Sequence, residues 1–382
     1  MPERPVPTGA PARVVHLTSV HPRNDIRVFL KECRSVAAAG FEVFLVVADG
    51  QGPAFVDGVQ IIDVGRRSAG RFGRAVLTGA RVYGAARRLR ADIYHFHDPE
   101  LLPWGLLLRA SGVRVVYDTH EHLPEDILTK HYLPSYVRAP LSFLADHAER
   151  LAARGLSGIV AAYPHIERRF DGLTVRRVSI CNYPLPEELQ RATSWQERRL
   201  QACYIGGISF NRGVRELVAA AALCRTQIVL AGPLWDRLTL ELAQALPGWE
   251  RIEYRGVISR TEVAELMGSS RVGIVTFLPT VSHVNAHPNK LFEYMSAGIP
   301  VVASDFPLWR EIVAATGSGL CVDPRDPAAI AAAVDRLVED EQLGARCGRN
   351  GARAVADNFN WSTQAPKLLE LYRGLQPRRK QS

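Results

Sequence analysis

A lysine and a glutamate three residues apart lie in a stretch whose residue types suit the binding of phosphate and sugar hydroxyls. Lys290 and Glu293 would share one face of a short helix, because positions three apart in a helix are neighbours. Pro288 suits the first helical position, and the free N–H groups of a helix start attract an anion. The stretch therefore indicates phosphates at the helix start and ribose hydroxyls on the glutamate. The alternative is a capped surface helix with a solvated ion pair.

The residues after this pair define the elements that must position it. Gly298 suits a left-handed cap at the helix end, and Pro300 prevents the helix from continuing. Residues 299–303 form an apolar run, which predicts a buried strand. The helix is thus expected to precede a strand of a sheet and to begin at the edge where strands end.

Predicted strands alternate with predicted helices through both halves of the chain. Each strand is an almost continuous apolar run, as in a parallel sheet covered by helices on both faces. The predicted strands cover residues 13–18, 41–48, 58–64, 93–96, 113–117, 158–162, 178–181, 202–205, 227–231, 252–254, 272–275 and 299–303. The predicted helices cover residues 28–39, 102–110, 140–154, 214–224, 238–246, 261–269, 288–297, 328–339 and 361–375, and the arginine-rich stretch after the third strand. A polar segment with prolines separates the two series. The sequence therefore predicts two doubly wound α/β domains, over residues 1–185 and 201–358, with a linker over 186–200.

The residues that follow the strands of the second half form one candidate site, because open α/β sheets bind ligands beyond the carboxyl ends of their strands. Glycines let a backbone approach a ligand closely, and an arginine can bind phosphate oxygens with two parallel N–H groups. The candidates at these strand ends are Gly206, Gly207, Arg212, Gly232, Gly256, Val257, Asn285, His287, Asn289, Lys290, Leu291 and Glu293. They match neither a Walker loop nor a dinucleotide fingerprint. A Gly-Gly turn alone is also typical of a tight turn between a strand and a helix.

The strand ends of the first half carry histidines and carboxylates. Imidazole titrates near neutrality and can bridge sugar hydroxyls or move protons, although a single histidine more often makes a structural hydrogen bond. The candidates are Asp25, Arg27, His97, Asp98, His120 and Glu121. Metal ligation is the alternative for His95, His97, Asp98, His120 and His122. Because these residues have no established ligand spacing, we predict no metal site.

Composition and charge exclude several classes of protein. The 382 residues are 47% hydrophobic, which is enough for two cores, and no run of about 18 apolar residues could span a membrane. The six cysteines are scattered without metal-ligand spacing, which indicates reduced thiols in the cytoplasm and no structural zinc. Residues 1–11 are rich in proline and lack the apolar region of a signal peptide, so a disordered tail is expected.

The net charge of +8 is concentrated in one stretch. Eight arginines and no acidic residue lie between Arg66 and Arg90. The stretch is predicted to be helical, and its apolar residues could share one packed face: Phe72, Val76, Leu77, Tyr83 and Leu89. A solvated helix face is one interpretation of its arginines. Attraction to an anionic membrane surface or to a lipid diphosphate acceptor is the other, which would make the protein peripheral at the inner face of a membrane. Nucleic-acid binding is not expected, because aromatic platforms and reading motifs are lacking.

The sequence resembles the retaining glycosyltransferases of family 4 (glycosyl transferases group 1), which have the GT-B fold. The resemblance is carried by Asn289-Lys290-Leu291-Phe292-Glu293-Tyr294-Met295 and by Ala297-Gly298-Ile299-Pro300-Val301-Val302. It extends to residues 27–40 and 95–99 and covers nearly the whole chain. It implies two Rossmann-like domains that face each other across a cleft. It also implies that the terminal helix, within residues 359–382, crosses back to the first domain.

The resemblance also implies roles for individual residues. Glu293 would bind the ribose hydroxyls of a nucleotide-diphosphate sugar, Arg212 its phosphates, and Lys290 would be a second phosphate contact. The backbone at Gly256 and Val257 would hold the base, and His97 would approach the donor sugar. We therefore assign catalysis to His97, Asp98, Arg212 and Lys290, and the acceptor side to Asp25, Arg27, His120 and Glu121.

Three positions depart from the family pattern. Asn285 stands where the family usually has a second glutamate, eight residues before Glu293, that contacts the donor sugar. Gly207 stands where a basic residue often follows the first glycine of the phosphate loop. His21-Pro22-Arg23-Asn24-Asp25 replaces the glycine-rich turn after the first strand. Recognition of the donor sugar is therefore where this chain is expected to differ from its relatives.

The expected reaction is transfer of a hexose, with retention, from a nucleotide-diphosphate sugar to a hydroxyl acceptor, in polysaccharide, glycolipid or metabolite synthesis. No metal or other cofactor is expected, because the helix start, Arg212 and Lys290 can stabilise the leaving diphosphate. The leaving phosphate could take the acceptor proton; Asp25, Asp98, Glu100 and Glu121 are the alternative bases. Three other functions stay open: a sugar-nucleotide epimerase, a phosphorylase (without an apparent pyridoxal-lysine motif), and a silent sugar-nucleotide-binding subunit.

Overall fold

The computed structural model describes residues 11–129, 133–185, 188–189 and 193–376. Two compact units are present: Met1–Asn182 together with Gln364–Ser382, and Tyr183–Thr363. The predicted amino-terminal tail, up to residue 10, lies outside the described residues, as do the last six residues and part of the predicted linker. The linker residues that are described belong to the second unit.

An eight-stranded sheet forms the centre of the first unit. Its spatial order is β3-β4-β2-β1-β5-β6-β7-β8, and every pair is parallel except β3 with β4. The strands are β1 Arg13–Leu17, β2 Glu42–Val47, β3 Ala54–Val56, β4 Val59–Asp63, β5 Ile93–Phe96, β6 Arg114–Thr119, β7 Gly158–Ala161 and β8 Arg176–Ser179. The sequence did not reveal β3, because two of its three residues are exposed and it has no apolar pattern.

Helices connect these strands. They are α1 Arg34–Ala38, α2 Arg71–Gly73, α3 Gly79–Leu89, α4 Leu102–Ala110, α5 Leu123–Leu128, α6 Ser135–Arg154 and α7 Pro164–Arg168. A π-helical segment, Ile26–Cys33, leads directly into α1, so the predicted helix over 28–39 is present with a wider first part. A second π-helical segment, Arg74–Thr78, joins α2 to α3.

The second unit has an entirely parallel six-stranded sheet in the order β11-β10-β9-β12-β13-β14. The strands are β9 Gln201–Ile205, β10 Gln227–Ala231, β11 Ile252–Tyr254, β12 Val272–Val275, β13 Val301–Ser304 and β14 Gly319–Val322. The helices are α8 Val214–Ala221, α9 Arg237–Gln244, α10 Arg260–Ser269, α11 Val281–Val284, α12 Asn289–Ser296, α13 Pro307–Thr316, α14 Pro327–Glu339 and α15 Glu341–Asp357.

The last helix, α16 Ala365–Leu375, belongs to the first unit and contacts β8. The inner strands of both sheets are largely buried, and the first unit has a core of strand and helix residues around Phe96 and Tyr117. The prediction of two parallel-sheet α/β domains is therefore confirmed. Strand and helix bounds agree with the predicted ones within a few residues for most elements. The sequence missed β14, α13 and α15, since residues 305–327 and 340–358 were not assigned.

Candidate functional site

Three glycine turns of the second unit meet at one edge of its sheet. They follow the adjacent strands β9, β10 and β11, whose carboxyl ends lie together. Gly206 N–H donates to Ala231 O at 2.9 Å, and Gly232 N–H donates to Gly256 O at 2.7 Å. Gly232 has φ 144°, and a Cβ at this position would overlap the Gly206 carbonyl oxygen. The sheet therefore joins the three turns that the sequence proposed separately.

Arg212 lies on the loop after β9 between two aromatic rings. Its guanidinium carbon is 4.4 Å from the centre of the Trp235 ring and 4.7 Å from that of Phe277. Stacking on aromatic faces holds a guanidinium in one plane and favours it by cation–π attraction. Trp235 also packs directly over Gly207, where a Cβ would overlap the indole. The Trp235 ring therefore fills the space that a basic side chain at position 207 would need.

The helix α12 places Lys290 and Glu293 beside one another, as its sequence predicted. Lys290 Nζ donates to Glu293 Oε2, and the guanidinium of Arg260 donates to Glu293 Oε1 at 3.0 Å. Arg260 also bonds Glu188 at 2.6 Å. Burial alone would raise the pKa of Glu293, but Lys290 and Arg260 lower that pKa to about 2. The carboxylate is therefore ionised and oriented, and it can accept hydrogen bonds from neighbouring hydroxyls.

Two details of α12 explain its position. Pro288 is the residue before the helix, not its first residue, and the helix ends at a left-handed Gly298 with φ 69°. The Tyr294 hydroxyl accepts a hydrogen bond from Ile205 N–H at 2.9 Å, and its ring packs on Gly273, where a Cβ would overlap it. The end of β9, where the loop with Gly206 and Arg212 begins, is therefore bonded directly to the helix that carries Glu293.

The other predicted donor-side residues lie around α12 with unequal exposure. Asn289 is exposed at the first position of the helix, and Asn285 follows α11 as its C-terminal cap. Leu291 is fully buried, so only its backbone could contact a ligand. His287 stacks on Tyr183, and burial lowers the pKa of its imidazole to about 4. Val257, which follows β11, is 75% exposed.

In the first unit the predicted residues converge on Asp118 at the carboxyl end of β6. Arg27 donates to both carboxylate oxygens of Asp118, at 3.1 and 2.9 Å, and to Ile180 O at 2.8 Å. Burial alone would raise the pKa of Asp118, but Arg27 and His120 lower it well below its ordinary value. Arg27 is 5% exposed, so its guanidinium holds Asp118 and is not available to an acceptor.

The predicted catalytic histidine His97 lies behind the surface. Its side chain is fully buried, its Nδ1 is 3.3 Å from Asp118 Oδ2, and its Nε2 is 2.9 Å from His16 Nδ1. Burial lowers the pKa of His97 to about 4. Asp98 is also held inside, where its Oδ2 accepts hydrogen bonds from Thr18 and Ser19. Both side chains therefore bond to neighbours within their own unit.

His120 and His21 reach closer to the surface than His97. The His120 side chain is 17% exposed, and its Nε2 is 3.0 Å from Asp118 Oδ2. His21 lies 5.0 Å from the His120 ring and is 3.2 Å from Asp25 Oδ2. Burial alone would lower the pKa of His21, but Asp25 and Asp98 raise it. Glu121 is exposed, whereas Asp25 caps the helical segment after it through the N–H groups of residues 27 and 28.

Among the described residues, three clusters of side chains have ligand atoms within 4.8 Å of one another and could hold a metal ion. They are His16, Glu32, His95 and His97; His97, Asp118 and His120; and His122, Glu125 and His165. Most ring nitrogens of these clusters already have hydrogen-bonding neighbours, such as His165 Nε2 at 2.8 Å from Glu125 Oε1, whereas His95 Nε2 has none in the described part of the chain. Arg27 lies against the first two clusters, within 3.2 Å of Glu32 and 2.9 Å of Asp118. This fixed cation makes those two clusters poor sites for a second one.

Some residues of the two sites were not found from the sequence. Arg260 and Trp235 stand in stretches without a motif, and only the fold brings them to Glu293 and Arg212. His16 lies in the first predicted strand, at the start of the polar strand end 16–27, but its burial beside His97 was not predicted. Tyr372 comes from the last helix, and its hydroxyl lies 2.6 Å from His95 Nδ1. Nothing in its local sequence links it to the histidines.

The basic stretch forms α2, the following π-helical segment and α3. Tyr83 and Leu89 pack against the core, but Phe72 is 82% exposed and Leu77 is 61% exposed. The predicted packed face of this stretch is therefore only partly formed, because some of its apolar residues contact the core and others are exposed. No helix within the described ranges is both long and apolar enough to cross a membrane.

Comparisons with known proteins agree with this geometry. Residues 27–196 match the model of Glycosyltransferase Family 4, and residues 186–354 match that of Glycosyl transferases group 1. An α-D-kanosaminyltransferase of Streptomyces kanamyceticus is 26% identical over 288 residues, which are 70% of this chain and 72% of that enzyme. A glycogen synthase of Mycobacterium tuberculosis is 25% identical over 44% of this chain, and the match spans 41% of that enzyme's length.

Solved structures of the same fold cover almost the whole chain. A sucrose-phosphate synthase from Thermosynechococcus elongatus has a TM-score of 0.76 at 18% identity, over 96% of this chain and 99% of that one. HepE of Anabaena, in complex with UDP-glucose, has a TM-score of 0.70 at 17% identity, over 95% and 99%. The fold is therefore GT-B. Since the two family models together span residues 27–354, the chain belongs to the family 4, group 1 glycosyltransferases.

Proposed function

We propose that the protein transfers a hexose from a nucleotide-diphosphate sugar to a hydroxyl acceptor with retention of configuration. One observation carries this proposal: Glu293 is ionised and is held by two cations, Lys290 and Arg260. Its helix is bonded, through the Tyr294 hydroxyl, to the end of β9, where the loop that carries Arg212 begins. A carboxylate in this position suits the two hydroxyls of a ribose. HepE, of the same fold, is known in complex with UDP-glucose, and a uridine donor is the first to test here.

The leaving diphosphate would be stabilised by fixed positive charge. Arg212 is held between Trp235 and Phe277, so its N–H groups need little reorganisation when charge develops on the phosphate oxygens. Lys290 and the first N–H groups of α12 add positive potential. We propose that these groups suffice without a metal ion, and that the phosphate leaves on the face of the sugar that the acceptor then attacks.

On the acceptor side we assign the proton-accepting role to His120, in place of His97. His120 is the partly exposed imidazole of this cluster, and Asp118 at 3.0 Å can stabilise the imidazolium that forms. His97, Asp98 and Arg27 would support it from behind, since their side chains are buried and bonded within the unit. The leaving phosphate remains the alternative base.

A thermal-shift panel tests the donor assignment directly. UDP-, GDP-, ADP- and dTDP-glucose would be compared, because a ligand that binds the folded state raises the melting temperature by mass action. The stabilising donor would then be used to measure release of nucleotide diphosphate with a set of hydroxyl acceptors, and NMR of the product would give the anomeric configuration. Binding without turnover would favour a silent binding subunit, and conversion of the donor sugar without acceptor would favour an epimerase. An inverted product would refute retention.

The exposed residues of the basic stretch favour a lipid-linked or membrane-bound acceptor. Phe72 and Leu77 are exposed on the same segment as Arg71, and Arg66 and Arg67 just before it are exposed too. Apolar side chains beside arginines are the combination that binds anionic lipid surfaces. Flotation of the protein with vesicles of phosphatidylcholine, with and without phosphatidylglycerol, tests this. Binding that needs the anionic lipid is expected, and absence of binding to both would leave a solvated helix face.

A further inference from the structure

A continuous series of buried side chains connects the last helix to the acceptor-side histidine. His95 Nδ1 is 2.6 Å from the Tyr372 hydroxyl, which is 3.3 Å from His16 Nε2. His16 Nδ1 is 2.9 Å from His97 Nε2, and His97 Nδ1 is 3.3 Å from Asp118. All of these side chains are at most 2% exposed. Bulk water therefore does not reach these groups, and each is expected to bond to the next.

If every group donates once along the series, it has only two directions, because a neutral imidazole has one N–H and one bare nitrogen. In the first, each group donates toward Asp118: His95 to Tyr372, Tyr372 to His16, His16 to His97, and His97 to the carboxylate. In the second, every donor is reversed. The reversed series would place the bare Nδ1 of His97 against the ionised carboxylate of Asp118, and two acceptors would face each other at 3.3 Å. A third arrangement, in which the Tyr372 hydroxyl accepts from both His95 and His16, would leave its own buried O–H unpaired and would share the His97 orientation of the second direction.

The other end of the series favours the same direction. His95 Nε2 is buried and has no hydrogen-bond partner among the residues that the structure describes. In the series that runs toward Asp118 this atom is a bare acceptor, whereas in the reversed series it would be an unpaired N–H. Buried unpaired donors are rarer in proteins than buried unpaired acceptors. Glu32 also faces these histidines, with Oε2 at 3.8 Å from His95 and 4.0 Å from His16. Burial and the charge of Asp118 raise the pKa of Glu32 well above its ordinary value, and Arg27 at 3.2 Å opposes them.

We infer that Tyr372, His16 and His97 are positioning residues that determine which group accepts the Nε2–H of His120, and that this acceptor is Asp118. Because His97 already donates to Asp118, His97 Nδ1 cannot accept from His120, although it lies 3.3 Å from His120 Nε2. His120 must then donate its Nε2–H to Asp118, at 3.0 Å. Its Nδ1 becomes the basic nitrogen, and the imidazole can take one proton there while Asp118 stays ionised. That this proton comes from the acceptor hydroxyl rests on the proposed function. The tautomers of the histidines do not.

The tautomers can be measured on the free protein without any substrate. In the full chain labelled with ¹⁵N-histidine, two-bond ¹H–¹⁵N correlations at neutral pH distinguish N–H from bare nitrogens. His16 and His97 are expected to carry the proton on Nδ1, and His120 on Nε2. A proton on Nε2 of His97 would overturn the inference whatever the enzyme's activity. Expected tautomers in a protein that turns over no donor would refute the proposed function alone.

A variant tests whether the order of the series matters for the reaction. Tyr372→Phe removes the hydroxyl that donates to His16, so His16 and His97 should populate both tautomers. With the donor and acceptor found above, kcat should fall about ten- to a hundredfold, part of the effect of a general base, while KM for the donor stays the same. Tyr94→Phe is the matched control, because its buried hydroxyl bonds only backbone groups, Ala91 N–H and Ala86 O. Unchanged kcat in a folded Tyr372→Phe variant, or an equal loss in Tyr94→Phe, would overturn the positioning role.

Discussion

Replacement of Glu293 by glutamine tests the nucleotide site through stability and binding together. The pKa of this carboxyl falls from an ordinary 4.5 to about 2. Because the folded-state pKa is lowered, the carboxylate contributes stability that is complete above pH 4.5 and is lost as the pH falls toward 2. The lowered pKa corresponds to about 3 kcal/mol at pH 7 and about half of that at pH 3. Its partners Arg260 and Lys290 are 30% and 21% exposed. Because solvent weakens their attraction to Glu293, these free energies are upper limits.

The assay is urea unfolding of wild type and Glu293→Gln at pH 7 and at pH 3, with UDP titrated at pH 7. The stability difference should shrink as the pH falls, because wild type is then losing the same charge that glutamine lacks. The affinity for UDP should fall about ten- to a hundredfold, the value of hydrogen bonds to a charged group. Glu339→Gln is the control, because Glu339 pairs with Arg225 at the surface, at 2.6 Å. Arg225 precedes the amino end of β10, whereas the candidate site lies at the carboxyl ends of the strands. A pH-independent difference, or unchanged UDP affinity, would refute the assigned role of Glu293.

Three further results are expected. Trp235→Leu should weaken UDP binding severalfold by freeing the guanidinium of Arg212, with Trp249→Leu as the aromatic control in the same unit; equal affinity in Trp235→Leu and wild type, by calorimetry, would contradict this. Prolonged treatment with EDTA, followed by assay in metal-free buffer, should leave the transfer rate unchanged, and restoration of a lost rate by Mg²⁺ or Mn²⁺ would contradict metal independence. Phe72→Ser with Leu77→Ser should abolish flotation with anionic vesicles while transfer to a water-soluble acceptor persists, whereas unchanged flotation would assign the binding to another surface.

Local sequence was sufficient for the architecture. Buried parallel strands are continuous apolar runs, and the glycines and prolines around them mark their ends, so β5, β10, β11 and β12 have the predicted bounds. The same logic located the donor-side turns, since strand ends of one parallel sheet must share an edge. Elements without these signals were missed, such as the exposed β3 and the alanine- and glycine-bearing α15.

The partners of the predicted residues could not be found in this way, because they depend on contacts between distant parts of the chain. Glu293 was predicted with Lys290, three residues away, but its second cation Arg260 is 33 residues away. His97 was predicted from its neighbours, whereas its depth depends on His16, 81 residues earlier. Local spacing therefore identified which residues carry charge, and only the fold showed which of them reach the surface.

The departure at Gly207 has a physical explanation in the same contacts. A basic side chain there could not coexist with Trp235, whose ring occupies the space above the glycine. The indole instead stacks on Arg212. The loop therefore has one cation, held in place by an aromatic ring, where two cations would otherwise lie. A mobile pair of cations on this loop would bind a diphosphate by charge. Arg212, held in place, would bind it by geometry with less loss of side-chain entropy, and Lys290 of α12 would be the second cation. The site should therefore discriminate strongly by the position of the phosphates, and its affinity should depend less on salt than that of a site with two mobile cations.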